Sequence, residues 1–104
     1  MKKDMTVDSL KVKLKTKSIT LIDVREEWEF DYCKIETSKN IPMNIVPLKL
    51  AEFKQNMEYA IICHSGVRSA QVVKYLNNNG ISAYNVIGGI DLWSIKIDNE
   101  IKRY

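Results

Sequence analysis

The chain has 104 residues, of which 45% are hydrophobic and 28% charged, and it carries a net charge of +3. This length and composition predict one globular domain and exclude a disordered chain, since enough apolar side chains are present to form a core. The charge is too small and too dispersed to indicate nucleic-acid binding, and no apolar run approaches the ~20 residues of a membrane span. We therefore expect a cytoplasmic monomer that binds neither nucleic acid nor membrane.

The first half of the chain predicts a helix, a strand and a short second helix. Apolar residues recur at helical spacing after Thr6, a suitable N-cap, and predict a helix from Thr6 to Thr16. The segment Ile19–Val24 is rich in β-branched residues and predicts a strand. The polar stretch Glu26–Phe30, which follows it, could form a short helix.

In the second half, Pro47 and the apolar residues spaced three and four positions after it predict a helix that begins at Pro47. A buried strand, Tyr59–Cys63, is followed by a helix from Arg68 to Asn79 with Gly80 as its C′ residue. A last strand, Ser82–Ile87, leads to two glycines and hence to a sharp turn. Alternating strands and helices predict an α/β fold, a central parallel sheet with helices on both faces. The tail after Ile95 has no clear period.

Cys63 closes its strand and heads a tight loop into a helix. A helix start presents unpaired N–H groups and partial positive charge, which together stabilise an anion placed before it. A free thiol titrates near pKa ~8.5, and such a position beside an Arg lowers this to roughly 3.5–7.5. Gly66 allows the loop to fold its amides inward, and Arg68 carries donors suited to an oxyanion. We therefore expect Cys63 to be a thiolate nucleophile at neutral pH.

The segment Cys63-His64-Ser65-Gly66-Val67-Arg68-Ser69 resembles the active-site loop of the rhodaneses, in their single-domain form. Four residues separate Cys63 from Arg68, whereas the rhodanese-like phosphatases and arsenate reductases have five, so the loop is similar to that of sulfurtransferases. The resemblance implies one rhodanese-like domain over residues 1–104, and the similarity runs from about Ile19 to Trp93. It also implies a small anionic sulfur donor such as thiosulfate, a persulfide on Cys63, and a thiol, cyanide or acceptor protein as the recipient.

Other positions also match the family, among them Asp23, Arg25 and Glu29 after the first strand. For Arg25 we favour a structural pairing with Glu29 over contact with substrate. The pair Gly88-Gly89 followed by Trp93 also matches, and we expect Trp93 to pack in the core. The chain departs from the family at Cys33-Lys34 and Thr37-Ser38, where Gly-His and Gly-Ala are common.

Within the loop, the amides from Ser65 through Arg68, including that of Val67, are expected to hold the persulfide. Arg68 could either orient the donor or brace the loop. His64 is expected on the exposed rim and not in catalysis. Ser65 and Ser69 could donate to the sulfur or cap the helix, and capping is the commoner role of serine.

Cys33 is expected to be a small core or surface residue, and a resolving thiol for the persulfide is the less favoured alternative. With one histidine and two cysteines, the chain cannot fill a zinc site. We expect no metal and no organic cofactor, because the transferred sulfur would ride on the protein. Two rival functions remain: a binding module of the same fold without catalysis, and a hydrolase or reductase of oxyanions.

Overall fold

The secondary structure alternates strands and helices along residues 3–104, which are the residues that the computed structural model describes. In chain order the elements are β1 (Asp4–Met5), α1 (Val7–Lys15), β2 (Thr20–Asp23), α2 (Glu27–Tyr32), β3 (Lys39–Asn40), a 3₁₀ helix (Met43–Glu52), β4 (Glu58–Ile62), α3 (Val67–Asn78), β5 (Ser82–Val86) and α4 (Gly89–Lys96). The strands form one five-stranded sheet in the order β1-β5-β4-β2-β3, and every pairing is parallel. The predicted α/β fold class is confirmed.

Helices cover both faces of the sheet, and successive side chains of β4 point alternately toward one face and the other. Tyr59 and Ile61 face α3 and the 3₁₀ helix, in a cluster that also contains Val46, Phe53, Val72 and Leu76. Ala60 and Ile62 face α1 and α4, in a cluster that also contains Val7, Leu10, Ile90 and Trp93. Burying a side chain such as Leu76 completely contributes about 1.5–3 kcal/mol. Trp93 packs in this core, as expected.

The ends of two helices follow the residues that signal them. Thr6 caps α1, accepting a hydrogen bond from the amide of Ser9 at 3.1 Å. Beyond α3, Gly80 has φ +80°, and the amides of Gly80 and Ile81 donate to carbonyls of the last helical turn at 3.2 and 3.0 Å. This is a Schellman motif, which satisfies carbonyls that the helix leaves free.

The prediction that a helix begins at Pro47 is wrong. The segment begins at Met43, directly after Pro42, and ends at Glu52, so Pro47 lies inside it and Met57 outside. It winds as 3₁₀ turns because Pro47 lacks an N–H and its ring crowds the preceding turn of an α-helix.

The two glycines after β5 form a sharp turn, and close packing against the Cys63 loop requires one of them. Gly88 and Gly89 have φ of +80° and +60°, and a Cβ on Gly89 would collide with the backbone carbonyls of Cys63 and His64. These two carbonyls accept hydrogen bonds from the amides of Ile90 and Asp91 at 2.9 and 3.1 Å. The start of α4 therefore fixes the first two residues of the loop that follows β4.

Candidate active site

The loop from Cys63 to Gly66 joins β4 to α3 at the carboxyl edge of the sheet, next to the end of β2. Parallel sheets present their sites at this edge, because loops from neighbouring strands meet there. Gly66 is the N-cap of α3 and has φ +110°, a left-handed conformation that glycine adopts without strain. The chain can therefore turn sharply enough to aim amides back toward the Cys63 side chain.

The Cys63 sulfur accepts hydrogen bonds from two amides of the loop and helix start. The N–H groups of Gly66 and Ser69 lie 3.1 and 3.4 Å from Sγ, and the Ser69 hydroxyl oxygen lies at 3.2 Å. Gly66 lies within the predicted cradle of Ser65 to Arg68, and Ser69 lies one residue beyond it. The Cys63 residue is only 1% exposed, yet its sulfur faces these donors.

The same contacts set the pKa of the thiol. Burial raises the pKa of Cys63, but hydrogen bonds to the sulfur outweigh it; they come from the Ser69 hydroxyl, when it donates there, and from the amides of Ser69, Gly66 and Ser65. The net pKa is below that of an ordinary thiol, because hydrogen bonds to the charged form favour ionisation.

The serines of the loop do not cap α3, contrary to the commoner role expected of them. The N-cap is Gly66, which has no side chain to cap the helix, and the first-turn amide of Ser69 donates to the Cys63 sulfur instead. Ser69 lies inside the first turn of the helix and is fully buried, with its hydroxyl beside the Cys63 sulfur. Ser65 and Val67 are exposed on the outer side of the loop.

Arg68 forms a two-pronged ion pair with Glu29 of α2. Its Nη1 and Nη2 donate to the two carboxylate oxygens of Glu29 at 2.7 and 3.0 Å. Glu29 also accepts from the Glu26 amide at 3.0 Å, which completes the capping box of α2. The Arg68 guanidinium holds the pKa of Glu29 at about 2, with burial opposing and other hydrogen bonds assisting. Of the two roles expected for Arg68, this geometry favours bracing of the loop, while its charge still acts on Cys63.

The expected pairing of Arg25 with the Glu29 carboxylate is wrong. That carboxylate is occupied by Arg68, and Arg25 pairs with Asp23, whose oxygen lies 2.7 Å from Nη2. Arg25 also donates to the backbone carbonyls of Cys33 and Glu29 at 2.6 and 3.2 Å, and it is fully buried. Burial lowers the pKa of Arg25, and Asp23 more than restores it, so the guanidinium is charged. Arg25 therefore ties β2 to α2 beneath the site and is not presented to a substrate.

Cys33 and Cys63 are both unpaired and buried. Cys33 belongs to the core cluster on the α1 and α4 face, whereas Cys63 belongs to the cluster on the α3 face. The Cys33 sulfur accepts a long hydrogen bond from Arg25 at 3.7 Å. These positions favour the role of a small core residue over that of a resolving thiol.

Comparison with known proteins places the chain in a family. A family model described as the rhodanese-like domain matches residues 6–96. The chain belongs to the rhodanese-like family. Its five-stranded sheet is therefore that of a rhodanese-like domain.

Relatives and solved structures agree with this membership. The chain is 37% identical over 92 residues to the Bacillus subtilis (strain 168) protein named "Putative sulfurtransferase YtwF", covering 88% of this chain and 89% of that protein. It is 31% identical over 80 residues to a protein of Allochromatium vinosum named sulfurtransferase, covering 76% and 75%. The crystal structure of a rhodanese-like domain protein from Staphylococcus aureus aligns with a TM-score of 0.85 and 42% identity, covering 100% of this chain and 99% of that chain.

The sequence did not reveal that Tyr104 reaches this rhodanese-like site. Its hydroxyl donates to Glu29 at 2.6 Å and accepts from Arg25 at 3.0 Å. Its ring stacks on that of His64, with centroids 4.2 Å apart and planes 13° apart. Burial raises the pKa of Tyr104 to about 12, so the hydroxyl keeps its proton near neutral pH. Tyr104 thus links the Arg25–Asp23 pair to the Arg68–Glu29 pair. Its ring also supports the half-buried His64 at the rim of the site.

Asn85 is the second residue that the sequence reasoning missed. It lies on β5 opposite Ile61 of β4, so its side chain starts beside the strand that carries Cys63. Its Oδ1 accepts from the Ser69 hydroxyl at 2.6 Å, and its Nδ2 donates to the Gly66 carbonyl at 3.2 Å. An amide near the carboxyl end of a strand was the available signal, because asparagine is depleted from strands.

Two kinds of feature are absent from residues 3–104. No helix there is long and apolar enough to cross a bilayer. No group of three or more metal-ligating side chains was found in the same range.

Proposed function

We propose that the chain is a sulfurtransferase in which Cys63 carries a sulfane sulfur from an anionic donor to a thiophilic acceptor. Membership of the rhodanese-like family and the relatives named sulfurtransferases support a sulfurtransferase or sulfur-relay role. The observation that carries the finer proposal is the position of the Cys63 sulfur, 3.1 and 3.4 Å from two amide donors at a helix start.

The reaction is a double displacement. The Cys63 thiolate attacks the outer sulfur of thiosulfate, a new S–S bond forms, and the old S–S bond breaks so that sulfite leaves with the electron pair. The outer sulfur of the resulting persulfide carries the negative charge. A cyanide ion or an acceptor thiolate then attacks that sulfur, and the Cys63–sulfur bond breaks to regenerate the thiolate. No step needs a metal or an organic cofactor.

The loop contributes preorganised donors at each step. Amides fixed by Gly66 and by the start of α3 need no reorganisation when negative charge forms near them. The Arg68 charge lies beside this loop and favours anions, while its bond to Glu29 keeps the guanidinium in one place. Arg25 and Asp23 act only as support, because both are buried.

Thiocyanate formation from thiosulfate and cyanide tests the proposal. The wild-type protein is expected to turn over, and Cys63→Ser is expected to lose turnover completely. Cys33→Ser is the matched control, because it changes the other buried cysteine and is expected to retain activity. Release of sulfide from a dithiol acceptor extends the assay to thiols.

The rival functions give different outcomes in the same assays. A chain that accepts no sulfur from thiosulfate or from a small persulfide donor is a binding module of this fold. Hydrolysis of an aryl phosphate faster than sulfur transfer would instead favour an oxyanion hydrolase. The proposal includes action as a cytoplasmic monomer on a small donor, with a small thiol, cyanide or an acceptor protein as recipient and without nucleic acid or membrane.

A further inference from the structure

The Ser69 hydroxyl has one proton and two neighbours that could accept it. Its oxygen lies 2.6 Å from Oδ1 of Asn85 and 3.2 Å from the Cys63 sulfur. A serine hydroxyl donates one hydrogen bond and accepts up to two. Ser69 can therefore donate to Asn85 or to the sulfur, but not to both.

The orientation of the Asn85 amide decides between them. The Gly66 carbonyl can only accept, and it lies 3.2 Å from the Asn85 side-chain nitrogen, so the amide must present its N–H₂ group to Gly66. Its oxygen then faces Ser69. Two acceptors would repel each other at 2.6 Å, so the Ser69 proton lies between them. The Ser69 oxygen turns a lone pair to Cys63.

This arrangement suits a sulfur that is not charged. The thiol S–H of Cys63 can donate to the free lone pair of Ser69, and every group is then satisfied. In the persulfide, the negative charge lies on the outer sulfur, so Ser69 can keep its bond to Asn85. The thiolate alone would gain a further hydrogen bond if the Ser69 hydroxyl rotated toward the sulfur, and that rotation would leave the Asn85 oxygen without its donor.

We propose that Asn85 is a positioning residue that holds the Ser69 proton away from Cys63 and so limits how readily the nucleophile ionises. The amides of Gly66 and Ser69 favour the thiolate whatever the hydroxyl does, and Asn85 opposes the further gain that the hydroxyl could give. This inference deepens the proposed function, since it concerns the same nucleophile. It makes Asn85, on a different strand, part of the control of that nucleophile.

Other titratable and charged groups surround the site, and they must stay unchanged in a test. They are His64 of the loop, Asp23 at the end of β2 and Arg25 just after it, Glu29 of α2, Arg68 of α3 and Tyr104 of the tail. None of them hydrogen-bonds to Asn85 or to the Ser69 side chain. Substitutions at these two positions therefore leave the ion pairs of the site intact.

A double-mutant cycle with Asn85→Leu and Ser69→Ala tests the inference through the pKa of Cys63. The pKa is measured from the ultraviolet absorbance of the thiolate as a function of pH, after subtraction of the absorbance of the Cys63→Ser variant. No sulfur donor or acceptor is present. Asn85→Leu keeps a similar volume and frees the Ser69 hydroxyl, so the pKa should fall by about one unit. Ser69→Ala should raise the pKa by about one unit in the Asn85→Leu background, but by less than about half a unit in the wild type.

The cycle separates control of the proton from simple loosening of the loop. If Asn85→Leu acts by releasing the Gly66 carbonyl, its effect on the pKa will persist when Ser69 is alanine, and the inference fails. Should Asn85→Leu not fold, Ser69→Ala alone decides, and a rise of a full unit or more would overturn the inference. Because no sulfur is transferred, the result is independent of whether the chain proves to be a sulfurtransferase.

Discussion

At the scale of single residues, the site depends on one carboxylate that three groups hold in place. Glu29 accepts from Arg68, Tyr104 and its own helix N-cap, and it is only 4% exposed. A buried carboxylate is tolerable only when it is paired and hydrogen-bonded, which these donors achieve. Glu29 consequently links α2, the Cys63 loop and the tail.

Glu29 should make the fold sensitive to acid. Its pKa falls from 4.5 to about 2 in the fold, so its contribution to the free energy of unfolding is present above pH 4.5 and is lost as pH drops toward 2. The loss is on the order of 3 kcal/mol. Glu29→Gln should be less stable than the wild type at neutral pH. When the pH is lowered, its free energy of unfolding should fall by about 3 kcal/mol less than that of the wild type. Denaturant unfolding across this pH range measures the difference.

Glu27→Gln is the control for this prediction, because Glu27 is an exposed residue of the same helix. It should lose stability with acid as the wild type does. If Glu29→Gln lost as much as the wild type too, Glu29 would not have the depressed pKa.

Removing Arg68 should reveal how much of its role is structural. Arg68→Ala leaves the Glu29 carboxylate without its charge partner, and we expect a loss of about 2 kcal/mol, below the range for a fully buried pair because Arg68 is partly exposed. Adding Glu29→Gln should recover part of that loss, since the buried charge is then gone. Unfolding free energies of the single and double variants measure this. An Arg68→Ala protein as stable as the wild type would indicate that Arg68 serves only the donor.

Cys63, Gly66 and Arg68 could be predicted as a site because the strand, loop and helix start that place them are contiguous in sequence. Tyr104 and Asn85 could not be found in this way. Tyr104 contacts Glu29 across 75 residues, and its position depends on how the tail returns over α2. The partner of Arg25 was misassigned for the same reason, since the competition of two arginines for Asp23 and Glu29 is settled only by packing.

At the scale of elements, the segment after α4 forms one wall of the site. The Ser94 hydroxyl donates to the Ile101 carbonyl at 2.6 Å, which turns the tail back. Tyr104 then packs in T-shaped pairs with Trp28 and Tyr32 of α2, with ring centroids 6.1 and 5.9 Å apart. The stack on His64 completes an aromatic group beside the Cys63 loop.

Removing this wall should make the Cys63 sulfur more accessible. Tyr104→Ala removes both the ring over His64 and the hydroxyl, so Cys63 should be alkylated severalfold faster by iodoacetamide at a fixed pH. Tyr104→Phe keeps the ring and should lie near the wild-type rate, with a stability loss of about 1 kcal/mol. Peptide mass spectrometry separates Cys63 from Cys33. An unchanged rate in Tyr104→Ala would show that the tail does not cover the site.

Arg103→Ala provides a control from the same segment. Arg103 forms an exposed ion pair with Asp91, and such pairs contribute little to stability. In Arg103→Ala, Cys63 should be alkylated at the wild-type rate.

The strongly patterned elements could be predicted to within a few residues, whereas others could not. The strands β1 and β3 have two residues each, too few to show an alternating pattern. Helix α4 was not predicted, because it buries Gly89, Ile90, Trp93 and Ser94 and so lacks a simple polar face. The predicted start of the 3₁₀ helix is displaced because two prolines could each mark the beginning of a helix. The helix begins after Pro42 and not at Pro47.

At the scale of the whole molecule, parallel topology brings distant segments to one edge of the sheet. The ends of β2, β4 and β5 lie side by side there and carry Asp23, Cys63 and Asn85 near their ends. Buried clusters lie on both faces of the sheet, so the Cys63 loop rests on a buried sheet. This global arrangement followed from the alternation of elements, although the strand order did not.

The central claim is that the Cys63 sulfur carries a second sulfur atom, and mass spectrometry measures this directly. The protein is incubated with thiosulfate at neutral pH, sulfite is removed, and the peptide containing Cys63 is weighed. The account predicts a gain of one sulfur atom on Cys63, reversed by cyanide and absent from Cys33. A Cys63 peptide that keeps its original mass with thiosulfate and with a small persulfide donor would contradict it.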